Sequence, residues 1–359
     1  MRRDPVSMLF TALAVATLSI AAFGGQAEQP RVQAVSRKPG SASRPSLGGA
    51  GQDAAKPSEI PAGGWWSIAK RVAGKISSDR LLTEAAGITF YALLALFPAL
   101  AAMVSLYGLF ADPATISDNL NAASGVVPGG GMQIITDQVH SLAANSGKAL
   151  GFAAVLGIAT SLWSANQGTK ALFDALNVVY AETEKRGFLL RTAVTLAFTL
   201  GGIVFVLLAM GAVVAVPVAL NFIGLGAVAD LLLRFLRWPL LLVALAALLA
   251  CIYRFGPSRE RARWQWVSWG GGFAAVAWVA GSVAFSWYVS HFGSYDKTYG
   301  SLGAAVGFMT WIWLSATIVL IGAEVNAETE AQTARDTTTG HEQAPGRRGA
   351  SKADAVAAA

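Results

Sequence analysis

The chain has 359 residues, 54% of them hydrophobic and only 13% charged, and its mean hydropathy is +0.50. Soluble proteins carry about 25% charged residues, so this composition excludes an ordinary water-soluble enzyme or binding domain. The net charge of +6 then reports membrane topology rather than nucleic-acid binding, and a single cysteine, Cys251, excludes an internal disulfide or a cysteine-built metal cluster.

The chain opens on Arg2 and Arg3, followed by an apolar run from Val6 to Phe23 and the small residues of Gly25-Gln26-Ala27. Residues 1–27 read either as an accessory hydrophobic helix or as a signal-like leader. Residues 28–62 are rich in Pro, Gly, Ser, Ala and Gln and read as a disordered linker. A membrane domain is expected over 63–330. A hydrocarbon core of about 30 Å needs roughly 20 apolar residues per helix. Six segments meet that length, at 85–110, 149–168, 192–220, 236–256, 266–291 and 300–326. Their apolar runs are continuous rather than alternating, which favours helices over a barrel. The expected fold class is all-α: a polytopic membrane protein with a six-helix transmembrane bundle and short amphipathic helices. Residues 1–27 would add an extra N-terminal hydrophobic helix. Residues 331–359 read as a disordered cytoplasmic tail.

Basic residues order the topology. Lys70, Arg71, Lys75 and Arg80 precede the first span, and Lys170, Lys185, Arg186 and Arg191 separate the second from the third. Arg254, Arg259, Arg261 and Arg263 separate the fourth from the fifth, and Arg335, Arg347, Arg348 and Lys352 follow the sixth. The opposite loops hold only Lys148, Arg234, Arg237 and Lys297. Both ends of the six-span unit are therefore expected in the cytoplasm. The first outer loop, 111–148, has room for short helices, one from Asn119 capped by Asp118 and one over 132–144, broken by Gly129-Gly130-Gly131. That glycine triplet lacks the frame of a phosphate-binding loop.

Four stretches together carry a resemblance. They are AGITFYALLALFPALAAMVSLYGLF (86–110), VHSLAANSGKALG (139–151), ALFDALNVVYAETEKRGF (171–188) and YDKTYGSLGAAVGFMTWIWLSATIVLIGAEVNAE (295–328). The combination resembles the YihY family, also called the BrkB virulence-factor family, of bacterial inner-membrane proteins, over about residues 65–330. Tyr-Gly-x-Leu before the last span and Gly-Ala-Glu-x-Asn at its end are the most specific pieces. The resemblance implies a six-helix inner-membrane protein without an established activity. It also implies that the family's old label, ribonuclease BN, is misassigned, and that some members export or flip lipids. The first 60 residues depart from the family's shorter start.

Polar groups at membrane depth are expensive, and each is a functional candidate. Glu84, Gly87 and Tyr91 share a face of the first span; Glu84 also suits a helix start as a first-turn acid. Pro98 removes a hydrogen bond in mid-span and is expected to kink it. Asn166, Lys170, Asp174 and Asn177 form a stripe at the end of span two, with Lys170 spaced to pair with Asp174. The stripe is either a polar vestibule or the outer face of an amphipathic extension. Tyr295 and Tyr299 lie in the last outer loop, and Gly300 and Gly303 open span six for close backbone approach, with Gly307 continuing that face. Glu324 and Asn326 close span six. An acid there opposes the helix dipole, so a partner is expected from Arg186, Arg191 or Arg254.

No catalytic residue, cofactor or metal site is expected. His140, His291 and His341 are far apart, no Gly-x-Ser-x-Gly elbow is present, and the cytoplasmic acids are scattered among bases. The leading expectation is a transporter-like or lipid-translocating protein with a cavity lined by Tyr91, Asn166, Asn177, Tyr299 and Glu324. The competing one is a membrane scaffold without transport. Membrane lipids and an unidentified lipid or small-molecule substrate are the expected partners. Nucleic acid is not, and the oligomeric state is open.

Overall fold

The computed structural model describes residues 51–110, 150–223, 227–292 and 301–356, all within one compact unit, Ser46–Ala359. The N-terminal segment 1–27, the outer loop 111–148 and Tyr295, Tyr299 and Gly300 lie outside the described residues. A single 3₁₀ turn, Pro57–Glu59, precedes eight α-helices: α1 Ala62–Ser78, α2 Leu81–Phe110, α3 Leu150–Val179, α4 Phe188–Ile223, α5 Ala227–Phe255, α6 Trp264–Phe292, α7 Ser301–Glu330 and α8 Ser351–Asp354. The only β pairing among the described residues is an isolated antiparallel bridge, Ala262 to Thr338. The fold is all-α.

Each of the six apolar segments matches one long helix, α2 to α7, to within one residue where it overruns the helix. Among the described residues, four stretches are long and apolar enough to cross a bilayer: Phe188–Ala209, Trp238–Phe255, Trp264–His291 and Ala305–Glu330. A helix of 30 residues, such as α2, α3 or α7, is about 45 Å long, against a hydrocarbon core of about 30 Å. Such helices have turns to spare, and in α3 and α7 the surplus carries polar residues. Leu189, Leu208, Val243 and Val283 are 65–82% exposed, as an outer surface solvated by lipid requires. This is a membrane protein with several apolar helices.

Small residues set the helix spacing. A Cβ on Gly270 of α6 would collide with the Gly322 carbonyl of α7, and one on Gly322 would lie 2.6 Å from the Ala274 Cβ. One on Gly271 would lie 2.9 Å from the Ala246 carbonyl of α5. The closest approach on α7 is therefore at Gly322, near its end. Gly303 is half-buried, and nothing stands near Gly307. Gly300, expected to open span six with Gly303, lies outside the described residues. α2 runs through Pro98 without a break in helix assignment.

Among the described residues, one core cluster joins α2, α3, α5 and α7. Leu81 and Ala85 of α2, Phe173 and Leu176 of α3, Tyr253 of α5 and Leu320 of α7 are among its fully buried members. α1 adds a second cluster, because Gly64, Ile68 and Val72 recur every four residues and meet Trp266, Ile321 and Val325. Arg80 then takes φ +53°, turning the chain from α1 into α2.

Two expectations of disorder are corrected. Residues 51–62 are folded: the Gln52 carbonyl accepts from Ala334 N at 2.8 Å, and the Ala54 carbonyl accepts from Thr333 Oγ1 at 2.7 Å. The tail is folded as far as 356. Arg348 is buried and donates to the carbonyls of Ala334, Arg335, Gln343 and Ala353. Polar composition suggested a solvated tail, but these side chains satisfy backbone groups that apolar residues would leave unpaired.

Candidate functional site at the charged end of the bundle

The surplus turns of α7 carry Glu324, Asn326, Glu328 and Glu330, all buried. Each meets a different fate. Glu330 is held by Arg259 through two bonds of 2.7 and 2.8 Å, and both side chains are fully inaccessible. Burial works against the Arg259 charge, but Glu330 outweighs it and holds the guanidinium firmly protonated. The same guanidinium lies 4.1 Å from the Tyr180 ring centre. Glu328 takes Arg71 of α1 and Lys352 of α8, each at 2.6 Å. Asn326 accepts from Gly270 N at 2.7 Å and donates to the Val267 carbonyl at 3.1 Å. It clamps α7 to α6 at the close approach set by Gly270 and Gly322.

Glu324 is different. It is fully buried, and neither carboxyl oxygen has a hydrogen-bond partner among the described residues. Asp79, at the end of α1, is close enough to interact with it, and Lys75, Lys352 and Glu328 act on it through space. Asp79 accepts from Lys75 Nζ at 3.1 Å and from Ser78 Oγ at 2.9 Å. Burial pushes the Asp79 carboxyl up, but its contacts with Glu324, Lys75 and Ser78 bring it below the usual carboxylate range. Burial also works against the Lys75 ammonium, and the Asp79 bond with the neighbouring acids raises it instead. The Tyr180 hydroxyl is likewise buried without a partner, beside Asn326. Burial pushes that phenol well above its ordinary range.

The arginines expected to meet Glu324 are committed elsewhere. Arg186 forks onto Glu184, at 2.7 and 2.8 Å, and donates to the carbonyls of Phe255 and Gly256. Arg191 takes Asp174 at 2.6 and 2.7 Å. Arg254 lies over the Trp264 ring, 4.4 Å from its centre. The Arg191 bond also displaces the expected Lys170–Asp174 pair, and Lys170 sits 5.4 Å from the Trp163 ring centre.

The other predicted residues disperse. Asn166 is buried with its Oδ1 unpartnered, as is the neighbouring Gln167 Oε1. Asn177 is structural: it accepts from Ser258 N at 2.8 Å and donates to Glu184 at 3.4 Å, pinning the α5–α6 loop. Tyr91 is 38% exposed and meets Phe90 edge-to-face. Glu84 is half-buried in the first turn of α2. Trp313 donates to the Leu82 carbonyl at 3.0 Å, a packing role. An open apolar groove of about 880 Å³ beside Trp65, Trp269 and Phe273 includes none of the predicted cavity residues.

Sequence reasoning missed Arg71, Lys75, Asp79, Arg259, Glu328, Glu330 and Lys352. A signal was present: acids at 324, 328 and 330 end an apolar helix and demand cations. In the sequence alone, Arg71, Lys75, Arg259 and Lys352 mark topology. No group of three or more His, Cys, Asp or Glu is placed to hold a metal ion among the described residues.

Comparison with known proteins agrees with the fold. The chain is 29% identical to a putative ribonuclease-like protein, YfkH, of Bacillus subtilis, over 68% of this chain and 88% of that protein. It is 27% identical to a UPF0761 membrane protein of Photobacterium profundum, over 70% of this chain and 77% of the relative. A UPF0761 membrane protein of Pseudoalteromonas translucida is 26% identical over 76% of this chain and 88% of its own length. No solved structure matches. The family described as Virulence factor BrkB matches residues 72–347, which takes in all the long helices and most of the folded tail; the chain belongs to the BrkB family.

Proposed function

We propose that this BrkB-family membrane protein moves a lipid or another small amphiphile across the bacterial cytoplasmic membrane, with its charged end in the cytoplasm. One observation carries the reading: Glu324, a fully buried carboxyl without a hydrogen-bond partner, at the end of an apolar helix. An ionisable group in that position is costly and is retained where it does work. Two neighbouring carboxyls, the half-buried Asp79 and the buried Glu324, share one proton more easily than they carry two charges. The pair therefore offers a group whose charge changes when α1 and α7 separate. The basic loops of the sequence meet at this one end, as the positive-inside rule asks of a cytoplasmic face.

The protein is read as non-enzymatic, with no cofactor. The ribonuclease-like name of the Bacillus relative is not extended to this chain, since no hydrolytic motif accompanies it here. A scaffold role is the second reading. It is favoured by the dense ion-pairing of the capped end and by the use of Asn177 and Asn326 as clamps.

The test is lipid movement by the purified full-length protein in liposomes carrying fluorescent phospholipids. Movement above protein-free vesicles is expected. Absence of movement with several headgroups and with verified folding would replace this reading with the scaffold.

A further inference from the structure

A second charged feature lies away from Glu324, where α4 begins and α5 ends. A pocket of about 310 Å³ opens there. Four arginines line it, and they divide into two kinds. Arg186 and Arg259 are held by Glu184 and Glu330. Arg254 and Arg261 pair with no carboxylate among the described residues. Both crowd the Phe255 ring, their guanidinium carbons 5.5 and 5.2 Å from its centre. Arg254 also has Nε and Nη1 buried without a hydrogen-bond partner. Two like charges gathered on one ring repel each other, and buried guanidinium donors without acceptors carry a desolvation penalty. An anion between them relieves both costs, and a phosphate suits the guanidinium fork.

The rest of the wall states what the anion is attached to. Leu190, Val194 and Phe198 of α4 recur every four residues, so they form one apolar stripe running away from the arginines. That stripe lies in the stretch Phe188–Ala209, which is apolar enough to cross the bilayer. Arg254 ends the stretch Trp238–Phe255 in the same way. The cationic part of the pocket thus sits where two spans leave the hydrocarbon, and its apolar part points along them. A free phosphate uses only the first part; an amphiphile uses both.

We propose that the pocket between the start of α4 and the end of α5 binds the phosphate headgroup of an anionic phospholipid between Arg254 and Arg261, with an acyl chain along Leu190, Val194 and Phe198. Basic pockets between helices at a membrane surface are suited to such headgroups. The site stands whether the protein translocates lipid or acts as a scaffold.

The experiment measures binding, not movement, so its outcome is separate from the translocation test. Delipidated full-length protein in neutral detergent is titrated with fluorescent phosphatidylglycerol, with anisotropy as the readout. Unlabelled phosphatidylglycerol, phosphatidylcholine and inorganic phosphate serve as competitors. Phosphatidylglycerol is expected to compete roughly tenfold better than phosphatidylcholine, and inorganic phosphate at millimolar levels not to compete. Arg261→Gln, an exposed change compatible with folding, should weaken binding roughly fivefold, and adding Arg254→Gln should weaken it roughly fivefold again. Arg347→Gln, exposed in the tail, should leave it unchanged. Equal competition by phosphatidylcholine, displacement by inorganic phosphate, or full binding by folded Arg261→Gln would each overturn the proposal. If the double variant does not fold, Arg261→Gln alone decides.

Discussion

Glu330 and Glu324 stand on the same helix, six residues apart, and both are fully buried. Around Glu330 the carboxylate is met on both oxygens: Arg259 returns two short bonds and Thr337 lies 3.3 Å from Oε2, while the Tyr180 ring faces the Arg259 guanidinium. Around Glu324 the carboxyl oxygens meet no donor, and the nearest acid, Asp79, has taken Lys75 for itself. The Glu330 region behaves as the interior of a folded protein, where a buried charge is tolerated because it is paired. The Glu324 region does not follow that rule. On the function proposed above, that setting is where the protein works rather than where it gains stability. The same contrast recurs among the arginines: Arg186 and Arg259 hold carboxylates, whereas Arg254 and Arg261 meet aromatic rings and no carboxylate among the described residues.

Breaking the satisfied side should cost most. Arg259→Leu strands Glu330 in the interior and should destabilise the protein by about 3–5 kcal/mol, read from thermal unfolding in detergent. Replacing Glu330 by Leu as well should recover much of that loss, because the pair disappears together. Gly270→Ala forces α6 and α7 apart at the Asn326 clamp, for a loss of about 1–3 kcal/mol. A drop in the same melting experiment is expected, and a wild-type value would show that the helix crossing has slack. Lys352→Met leaves Glu328 with Arg71 alone and detaches α8, costing about 1–3 kcal/mol. Limited proteolysis should then cut the tail sooner than in the wild type.

The smallest effects sharpen the comparison. Glu324→Gln keeps the shape and leaves an amide able to donate to Asp79, so stability should change by less than about 1 kcal/mol or rise. Glu184 gives the pH signature of a satisfied acid outside the spans. Burial pushes it up, but the Arg186 side chain and backbone bonds win and hold it at about 2, against 4.5 for a free glutamate. Its contribution is therefore present above pH 4.5 and is lost as the pH falls toward about 2. The stability gap between wild type and Glu184→Gln should be constant near neutrality and close over that window.

The helices were legible because lipid imposes a simple rule. Long continuous apolar runs between basic loops leave little else to form, and the six segments match α2 to α7 to within a residue where they overrun them. Glu324 and Asn326 stood out for the same reason, as polar groups ending an apolar helix. Their partners were not legible. Arg71 lies 257 residues from Glu328 in sequence, and Arg259 lies 71 from Glu330. Pairing over such distances depends on helix rotation and crossing, which apolar periodicity does not encode. The tail misled for a related reason. Arg348 and Lys352 look solvated by composition, yet they bind carbonyls and Glu328 that only the folded bundle assembles.

The most direct test joins the two halves of the comparison in one preparation. Glu324→Gln is reconstituted in liposomes at matched density, and lipid movement and melting temperature are measured against the wild type. Movement lost with melting unchanged is the predicted result. Movement retained, or a fall in melting as large as that of Arg259→Leu, would contradict the account and make Glu324 one more structural acid of the charged end.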